Sequence, residues 1–401
     1  MKVHLWNNPP RLSWLALTVL VLPVILSSCD GYFGKKNDPS FIDVPLENQR
    51  QVAYVPIQPV WDGFVSLSDV SVGFDELIYM VDEATSEIIS YDQAGNELGR
   101  LEVPGVTQVE QDRSLDLLAI GTFDTLGVSL SCIYRIELKN SGGYGLANAT
   151  IENKIVHPFY FRVNVSLGSD ELVTLNSIGV RSDNSYYVAR SGPGGSQIFG
   201  PDDAIILFDS EDNFQTSISV NVGGSVLRDY FKAPVALASL SQPPQYSQIG
   251  ISDDFVFCSL NEPTALKVQY INYTETENGL DVTLREFTTT GDTSQADGFL
   301  YTPNRFAAPV DVAIATDDNY AFIVDSEKDS VFQFTLTGLE GVPAPVGSTS
   351  NKNVKVSFGG SGNSLTQFDQ PVAVAYFREI LYVADRGNQR VLRFKLTTDF
   401  D

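Results

Sequence analysis

The sequence predicts an all-β fold built from a repeated unit, in which an apolar strand, a tight turn and a second apolar strand follow one another. In each clear copy an aspartate ends the first strand, and a β-branched residue opens the next strand six positions later. Short apolar runs bounded by Gly, Asp, Asn and Ser are typical of strands and hairpins. The clearest copies run from Asp82 to Ile88, from Asp325 to Val331 and from Asp385 to Val391.

A second repeated feature precedes these units, namely a proline followed by mostly small residues. Residues 234–238, 309–313 and 371–375 are near copies, and residues 104–109 are a looser one. Proline is tolerated at the first residue of a strand, where its missing N–H matters least. The small residues suit a crowded strand near an axis. No long stretch has a helical period, so helices are not expected to build the core.

Together the two features give six units. Repeats of this size, each with several short strands, predict a six-bladed β-propeller. The middle strands centre on Tyr79, Leu118, Tyr187, Val256, Phe322 and Tyr382, at spacings of 39, 69, 69, 66 and 60 residues. We expect insertions at residues 140–169, 192–203, 272–303 and 338–354.

The last unit has only three strands before the chain ends at Asp401. A surplus strand lies at the other end of the repeat region, at residues 51–57. If this N-terminal strand pairs with the last unit, the ring closes and no sheet edge stays open. The sequence therefore predicts that the N-terminal strand completes the last blade.

The N-terminus has the pattern of an export signal. Lys2 and Arg11 precede an apolar run at residues 12–26, which is shorter than the roughly 20 residues that span a bilayer. The run ends in Leu-Ser-Ser before Cys29, and this resembles the lipobox of bacterial lipoproteins, in which the cysteine is lipidated. We expect a signal peptide at 1–28, a lipid-anchored tether at 29–50 and the propeller at 51–401.

Charge excludes one class of function. Residues 1–28 hold two of the 26 basic residues and no acid, so the mature chain has 50 acidic and 24 basic residues, a formal charge of −26. Such a chain repels phosphate backbones, so no nucleic acid partner is expected. The remaining cysteines, Cys132 and Cys258, lie in apolar strands of different units, where we expect buried thiols without a disulfide.

Residues 382–391, with the upstream segment 371–374, resemble the core of an NHL repeat. Overall, residues 50–401 resemble the six-bladed, NHL-like propeller lipoproteins of Gram-negative envelopes. The resemblance implies a protein held in the membrane by its N-terminal lipid, at the periplasmic face of the outer membrane or at the cell surface. It also implies an envelope protein or a saccharide as partner.

The polar residues of the repeated turns are interpreted as structural. Asp and Asn cap tight turns by accepting backbone N–H groups, and Arg390 can pair with Asp385 across its hairpin. In NHL-like repeats these positions look structural as well. The set comprises Asp385, Asn388, Arg390, Asp325 and Asp82.

Enzymatic alternatives depend on side chains that this sequence supplies sparsely. NHL-like lyases use several histidines, whereas this chain has only His4, within the signal segment, and His157, a candidate lone general base in a loop. Lactonase-like propellers hold a divalent cation in the axial channel, and oxygen ligands suit Ca²⁺. Asp69, Asn176 and Asp311 lie on predicted innermost strands and are the candidate ligands.

We therefore expect a non-catalytic binding or scaffold lipoprotein without a cofactor. The alternative is a cation-dependent hydrolase with calcium in the channel. Contacts with a partner are expected at the insertions, which are the natural contact surface of a rigid ring. Aromatic candidates for these contacts, for which packing in the core is the competing interpretation, are Tyr144, residues 159–161 and residues 230–231.

Overall fold

The computed structural model describes residues 52–160, 170–193, 202–240, 252–277, 279–315 and 319–399. The predicted signal peptide, Cys29 and the tether lie outside these residues. The described chain forms sheets that are antiparallel except for one short parallel pair in blade 4, arranged as six blades around a central channel. The first strand of each blade contacts the first strands of its two neighbours, and the last blade returns to the first. The predicted all-β, six-bladed propeller is confirmed.

The strands are numbered in chain order, starting with β1 (Tyr54–Asp62). Blade 1 contains β2 (Leu67–Val72), β3 (Ile78–Asp82), β4 (Glu87–Tyr91) and β5 (Glu97–Glu102). Blade 2 contains β6 (Gln108–Gln111), β7 (Leu117–Thr125), β8 (Val128–Glu137) and β11 (Thr150–Val156), and the hairpin of β9 (Lys139–Asn140) and β10 (Gly143–Tyr144) interrupts it. Blade 3 contains β12 (Thr174–Val180), β13 (Tyr186–Ser191), β14 (Ala204–Phe208) and β15 (Phe214–Ser217).

Blade 4 is a six-stranded sheet of β16 (Val220–Val222), β17 (Ser225–Leu227), β18 (Pro234–Ser239), β19 (Phe255–Ser259), β20 (Val268–Thr276) and β21 (Gly279–Leu284). Blade 5 contains β22 (Pro309–Ala315), β23 (Tyr320–Asp325), β24 (Ser330–Thr335) and β25 (Phe358–Gly359). Blade 6 contains β26 (Pro371–Phe377), β27 (Ile380–Asp385) and β28 (Arg390–Leu396), and β1 is its fourth strand.

The N-terminal strand closes the ring, as predicted. β1 runs antiparallel to β28 from the pair Tyr54–Leu396 to the pair Asp62–Arg390. It extends five residues beyond the predicted segment 51–57 and has an irregular register between Ile57 and Trp61. Blade 6 is thereby built from both ends of the described chain, and its outer edge is covered.

The core lies between neighbouring blades. Strand residues pack their apolar side chains against the facing sheet, as in other stacked β-sheets. Between blades 6 and 1, for example, Tyr382 and Val391 share one buried cluster with Val70, Ile78 and Met80. Each blade is therefore held on both sides, and the strands nearest the axis are fixed from behind.

Two predicted insertions were partly wrong. Residues 140–169 contain β11, the fourth strand of blade 2, and residues 272–303 contain most of β20 and all of β21, the third and fourth strands of blade 4. The first five residues of β11 are exposed, as are the first three of β21. An outer strand with water on both faces lacks the apolar alternation by which a strand is recognised.

Cys132 and Cys258 are buried and unpaired, as expected. In the described part of the chain, no helix is both long enough and apolar enough to cross a membrane.

Candidate functional site

The aspartates of the repeated motif end the second strands, where their buried carboxylates accept backbone hydrogen bonds. In blade 1, Asp82 accepts from the N–H groups of Val65 at 2.7 Å and Ser66 at 3.0 Å, just before the first strand of that blade. In blade 5, Asp325 accepts in the same way from Ala307 at 2.7 Å. Each carboxylate therefore ties the connection between two blades to the blade that follows.

In blade 6 the motif forms a larger network around Asp385. Its carboxylate accepts from the Asp369 N–H at 2.8 Å, from Nδ2 of Asn388 at 2.8 Å and from Nε of Arg390 at 2.9 Å. The other guanidinium nitrogens of Arg390 donate to carbonyls within residues 363–367. These contacts lie within blade 6 and the connection leading into it.

Blade 3 places Arg190 at the position that Asp82, Asp325 and Asp385 occupy in blades 1, 5 and 6. The side chain is buried, and its Nε donates to Nε2 of His157 at 2.9 Å. Another guanidinium nitrogen donates to the carbonyl of Gly192 at 2.6 Å. His157 is therefore a buried partner of Arg190, and it does not line the channel mouth.

Backbone bulges build the mouth of the central channel. In five of the six blades, the register of the first strand against the second shifts after the first residue or, in blade 3, after the second. A bulge adds a residue that re-aims a side chain, here toward the mouth. The bulge residues lining the mouth are Ser68, Asn176, Val235, Val310 and Val372. In blade 2, Thr107 lines the same space without a shift.

The mouth opens into a cavity of about 400 Å³. One side is walled by the hairpin of β7 and β8, through Thr122, Ser129 and Ser131, and by the segment from Glu171 to Thr174. Below the mouth, the throat narrows to a space of about 40 Å³, enough for water. Small-molecule sites have volumes of about 300–1,000 Å³, so the mouth fits a small ligand and the throat does not.

At the throat, one side chain from each of blades 1, 3 and 5 accepts a hydrogen bond from the next blade. Asp69 of blade 1 accepts from the Val109 N–H of blade 2 at 2.8 Å. Asp311 of blade 5 accepts from the Val374 N–H of blade 6 at 2.7 Å. Ser177 of blade 3 takes the same position, and its Oγ accepts from the N–H of blade 4 residue Leu237 at 3.1 Å. The innermost strand of a blade has one unpaired edge, and these three side chains satisfy N–H groups along it.

The two throat carboxylates lie in an unfavourable electrostatic setting. Burial raises the pKa of Asp311 to about 7, although hydrogen bonds from the backbone N–H groups of Val374 and Val312 act in the opposite direction. Burial, and then the charge of Asp311, raise the pKa of Asp69 well above its ordinary value. Two carboxylates that share a site resist ionising together. Asp69 and Asp311 therefore stay protonated at pH values at which an ordinary aspartate is ionised.

Among the described residues, the throat does not fit a calcium ion. Calcium takes six to eight oxygen ligands, several of them carboxylates. Asp69 and Asp311 each use one oxygen on a backbone N–H, and the described residues contain no group of three or more His, Cys, Asp or Glu arranged to hold a metal ion. Asn176 lines the mouth, but its Nδ2 donates to Ser191 Oγ and to the Pro234 carbonyl, both at 2.7 Å.

Sequence reasoning found Asp69, Asn176 and Asp311 but missed other lining residues, including one serine and three longer polar side chains. Ser71 was within reach, because alternation along a strand places it on the same face as Asp69. The others line the channel through convergence of separate blades, for which the sequence has no local signal. They are Gln108, Glu110 and Glu171.

The aromatic candidates mostly pack inside the protein. Tyr160 and Phe231 are buried, and Tyr230 and Phe159 are half-buried. Tyr144 is 41% exposed, and its hydroxyl group donates to Asp75. Phe161 lies outside the described residues.

No protein-family model matches the sequence, and no curated protein matches it. Several solved structures are similar to this chain. A putative gluconolactonase is 10% identical, with 87% of this chain and 93% of that chain covered and a TM-score of 0.51. An auxiliary nutrient binding protein from Bacteroides thetaiotaomicron is 12% identical, with coverage of 83% and 70% and a TM-score of 0.50. A virginiamycin B lyase from Staphylococcus aureus is 11% identical, with coverage of 86% and 99% and a TM-score of 0.45.

At these identities the likeness shows the fold alone. The chain is a six-bladed β-propeller with structural neighbours in the gluconolactonase and NHL-like group. Those neighbours include a binding protein and a putative gluconolactonase, so the fold does not choose between binding and catalysis.

Proposed function

We propose that this protein is a non-catalytic binding module of the bacterial outer membrane, anchored through lipid on Cys29, whose propeller presents its channel mouth to an envelope protein or a saccharide. The anchor is proposed from the lipobox-like sequence, since Cys29 lies outside the described residues. Several acyl chains on one cysteine anchor stably, whereas one chain binds a membrane marginally. The partner class follows from export and from the charge of −26.

The observation that carries the proposal is the preformed cavity of about 400 Å³ at the mouth. Two oxygens of its lining, Oγ of Ser68 and Oε1 of Gln108, are buried and have no hydrogen-bond partner among the described residues. Oγ of Ser71, in the throat below, is a third such atom. Buried polar groups are normally satisfied, so the mouth has hydrogen-bonding capacity for a ligand.

Catalysis has weaker support. The described lining of the mouth contains no histidine or cysteine. Its two innermost carboxylates, Asp69 and Asp311, are held by backbone N–H groups of the neighbouring blades. A general base must reach the proton that it removes, and each of these carboxylates has one oxygen committed to a backbone N–H.

The face around the mouth also offers contacts for a larger partner. The hairpin of β7 and β8 is the longest of the described strand pairs, and Leu126 at its tip is 81% exposed. Leu172, on the opposite side of the same wall, is 64% exposed. Exposed apolar residues beside a polar cavity are typical of an interaction surface.

Site-specific photo-crosslinking in intact cells tests the proposal. A photoreactive residue at Leu126 should capture a discrete envelope partner, whereas one at Val346 should not. Val346 is fully exposed and lies between the third and fourth strands of blade 5, which antiparallel connectivity places on the other side of the ring. Equal capture at both positions, or none at Leu126, would contradict a binding surface at the mouth.

The anchor is tested separately. A Cys29→Ser variant should leave the membrane fraction while keeping the melting temperature of the mature protein. Retention of this variant in washed membranes would contradict lipid anchoring through Cys29.

A further inference from the structure

The mouth has an excess of hydrogen-bond acceptors. The carbonyl oxygen of Gln108 accepts no hydrogen bond from the described residues, and neither does Oγ of Ser68 or of Ser71. Ser71 is 9% exposed and lines the throat directly below the mouth. All three atoms are buried, so a ligand reaches them once their side chains turn toward the cavity. A ligand that donates hydrogen bonds would then satisfy all three, whereas an acceptor-only ligand would pair with the hydroxyls alone and leave the carbonyl oxygen unpaired.

The charge of the lining has one sign. Asp69 and Asp311 face the mouth from blades 1 and 5, and Glu171 stands at its exposed wall. Glu110 lies one layer deeper. None of the described residues that line the mouth is Lys, Arg or His. A low-dielectric cleft lined by one sign of charge concentrates ligands of the opposite sign, here cations.

The mouth also has two different sides. Blades 1 to 3 contribute Ser68, Thr107 and Asn176 to its rim, whereas blades 4 to 6 contribute three valines. The valines form an apolar arc directly above Asp311. They are Val235, Val310 and Val372. A short alkyl chain would pack on this arc while its charged end faced the carboxylates.

We propose that the channel mouth binds a small organic cation that carries N–H donors on a short alkyl chain, of the alkylammonium or alkylguanidinium class. The proposal rests on the binding function proposed above and names its ligand. The cation is either a free amine or the side chain of a lysine or arginine in a partner. An ammonium has three donors and no acceptor, which matches the acceptors left at the mouth.

Protonation of the throat regulates this binding. The titratable groups that line the site are Asp69, Asp311, Glu110, Tyr376 and the exposed Glu171. The buried thiol of Cys258 also interacts electrostatically with Asp311. At the level of the two aspartates, blades 3, 4 and 6 present Ser177, Ala236 and Ala373, which do not titrate. Because the pKa of Asp311 is raised to about 7 by burial, its charge develops between pH 6 and 8. Affinity for the cation should rise over that interval.

Calorimetric titration of the full mature protein with five matched probes tests the proposal. At pH 8, n-butylammonium and n-butylguanidinium should bind, while n-butanol and n-butyrate should not. n-Butyltrimethylammonium, which has the charge but no N–H donor, should bind about tenfold or more weakly. Equal binding of the alcohol and the ammonium would overturn the proposal, as would binding of Ca²⁺ by the mouth with no binding of either N–H cation.

Variants place the binding in the mouth. Asp69→Asn and Asp311→Asn each keep an oxygen for the backbone N–H and should weaken n-butylammonium about tenfold or more. The control Asp281→Asn removes an exposed carboxylate of β21 and should leave binding unchanged. Melting curves show whether each variant is folded, and the test can be made with either aspartate variant if the other does not fold. Equal weakening by the control would show general charge attraction and overturn the site.

Two further measurements distinguish a free amine from a partner side chain, and the proposed ligand class from the proposed binding function. Tighter binding of a lysine-containing peptide than of cadaverine would identify a partner side chain, and the reverse order a free amine. Either order supports the cation site, and binding of neither refutes it. If no cation binds while Leu126 still crosslinks an envelope partner, the ligand class is wrong and the binding function stands. If n-butylammonium binds and nothing crosslinks, the site is right and the partner surface is wrong.

Discussion

Replacing Asp385 by alanine removes the carboxylate at the centre of blade 6. Asp385 has no exposed surface and accepts hydrogen bonds from Asp369, Asn388 and Arg390. In Asp385→Ala, the Asp369 N–H and the Arg390 Nε lose their partner. The rest of the guanidinium keeps its carbonyl partners in residues 363–367, so the arginine is not left wholly unpaired.

The magnitude follows from these contacts. Removing one partner of a buried ion pair destabilises a protein by about 3–5 kcal/mol. Burial raises the pKa of Asp385 above its ordinary value in spite of Arg390, which means that desolvation already offsets part of the favourable interaction. We therefore expect a loss near the lower end, about 3 kcal/mol in the free energy of unfolding.

Urea denaturation of the mature protein, followed by tryptophan fluorescence, measures this loss. The control is Asp229→Ala, because Asp229 is 68% exposed and pairs with Lys232 on the surface, an interaction that contributes about 0–1 kcal/mol. Asp385→Asn should fall between the two, since its amide oxygen can still accept one of the three hydrogen bonds. A free energy of unfolding for Asp385→Ala equal to that of the control would refute the structural role of the turn.

Three other predictions concern the ring and the throat. Deleting residues 52–62 removes β1 and should lower the melting temperature by about 10 °C or more, and an unchanged melting curve would contradict closure by this strand. Burial raises the pKa of Asp311 to about 7, so its contribution to stability is complete below about pH 4 and is lost as the pH rises through 7. Asp311→Asn should therefore stabilise the protein by about 1–2 kcal/mol more at pH 8 than at pH 5 in calorimetry, and a pH-independent effect would exclude a raised pKa. His157→Leu removes the acceptor of Arg190 Nε and should destabilise the protein by about 1.5–3 kcal/mol, and a double-mutant cycle with Arg190→Leu that gives no coupling energy would refute the pair.

The fold could be predicted where a strand is both buried in the core and bounded by clear turn residues in the sequence. The middle strands are buried and apolar, as at Ile78–Asp82 and Ile380–Asp385, and turn residues bound them closely. The outer strand Thr150–Val156 was not predicted because its first five residues face water, and water-facing strands have no apolar period. Sequence alone therefore identified the interior of the blades better than their rims.

The candidate site could be predicted only in part. Asp69 and Asp311 stood out as polar residues in strands of small apolar ones. Their hydrogen bonds to Val109 and Val374 of the neighbouring blades were not predictable, because the partners lie 40 and 63 residues away. The reach of the turn aspartates was underestimated for the same reason: Asp82 binds the connection before its blade as well as its own turn.

The central claim is that function lies in the mouth, where the blades differ, and not in the turn motif that they share. A crystal structure of the protein soaked with n-butylguanidinium tests it most directly. The account predicts density for the guanidinium between Asp69 and Asp311, with the butyl chain on Val235, Val310 and Val372. Guanidinium density only at exposed carboxylates, with an empty mouth, would contradict it.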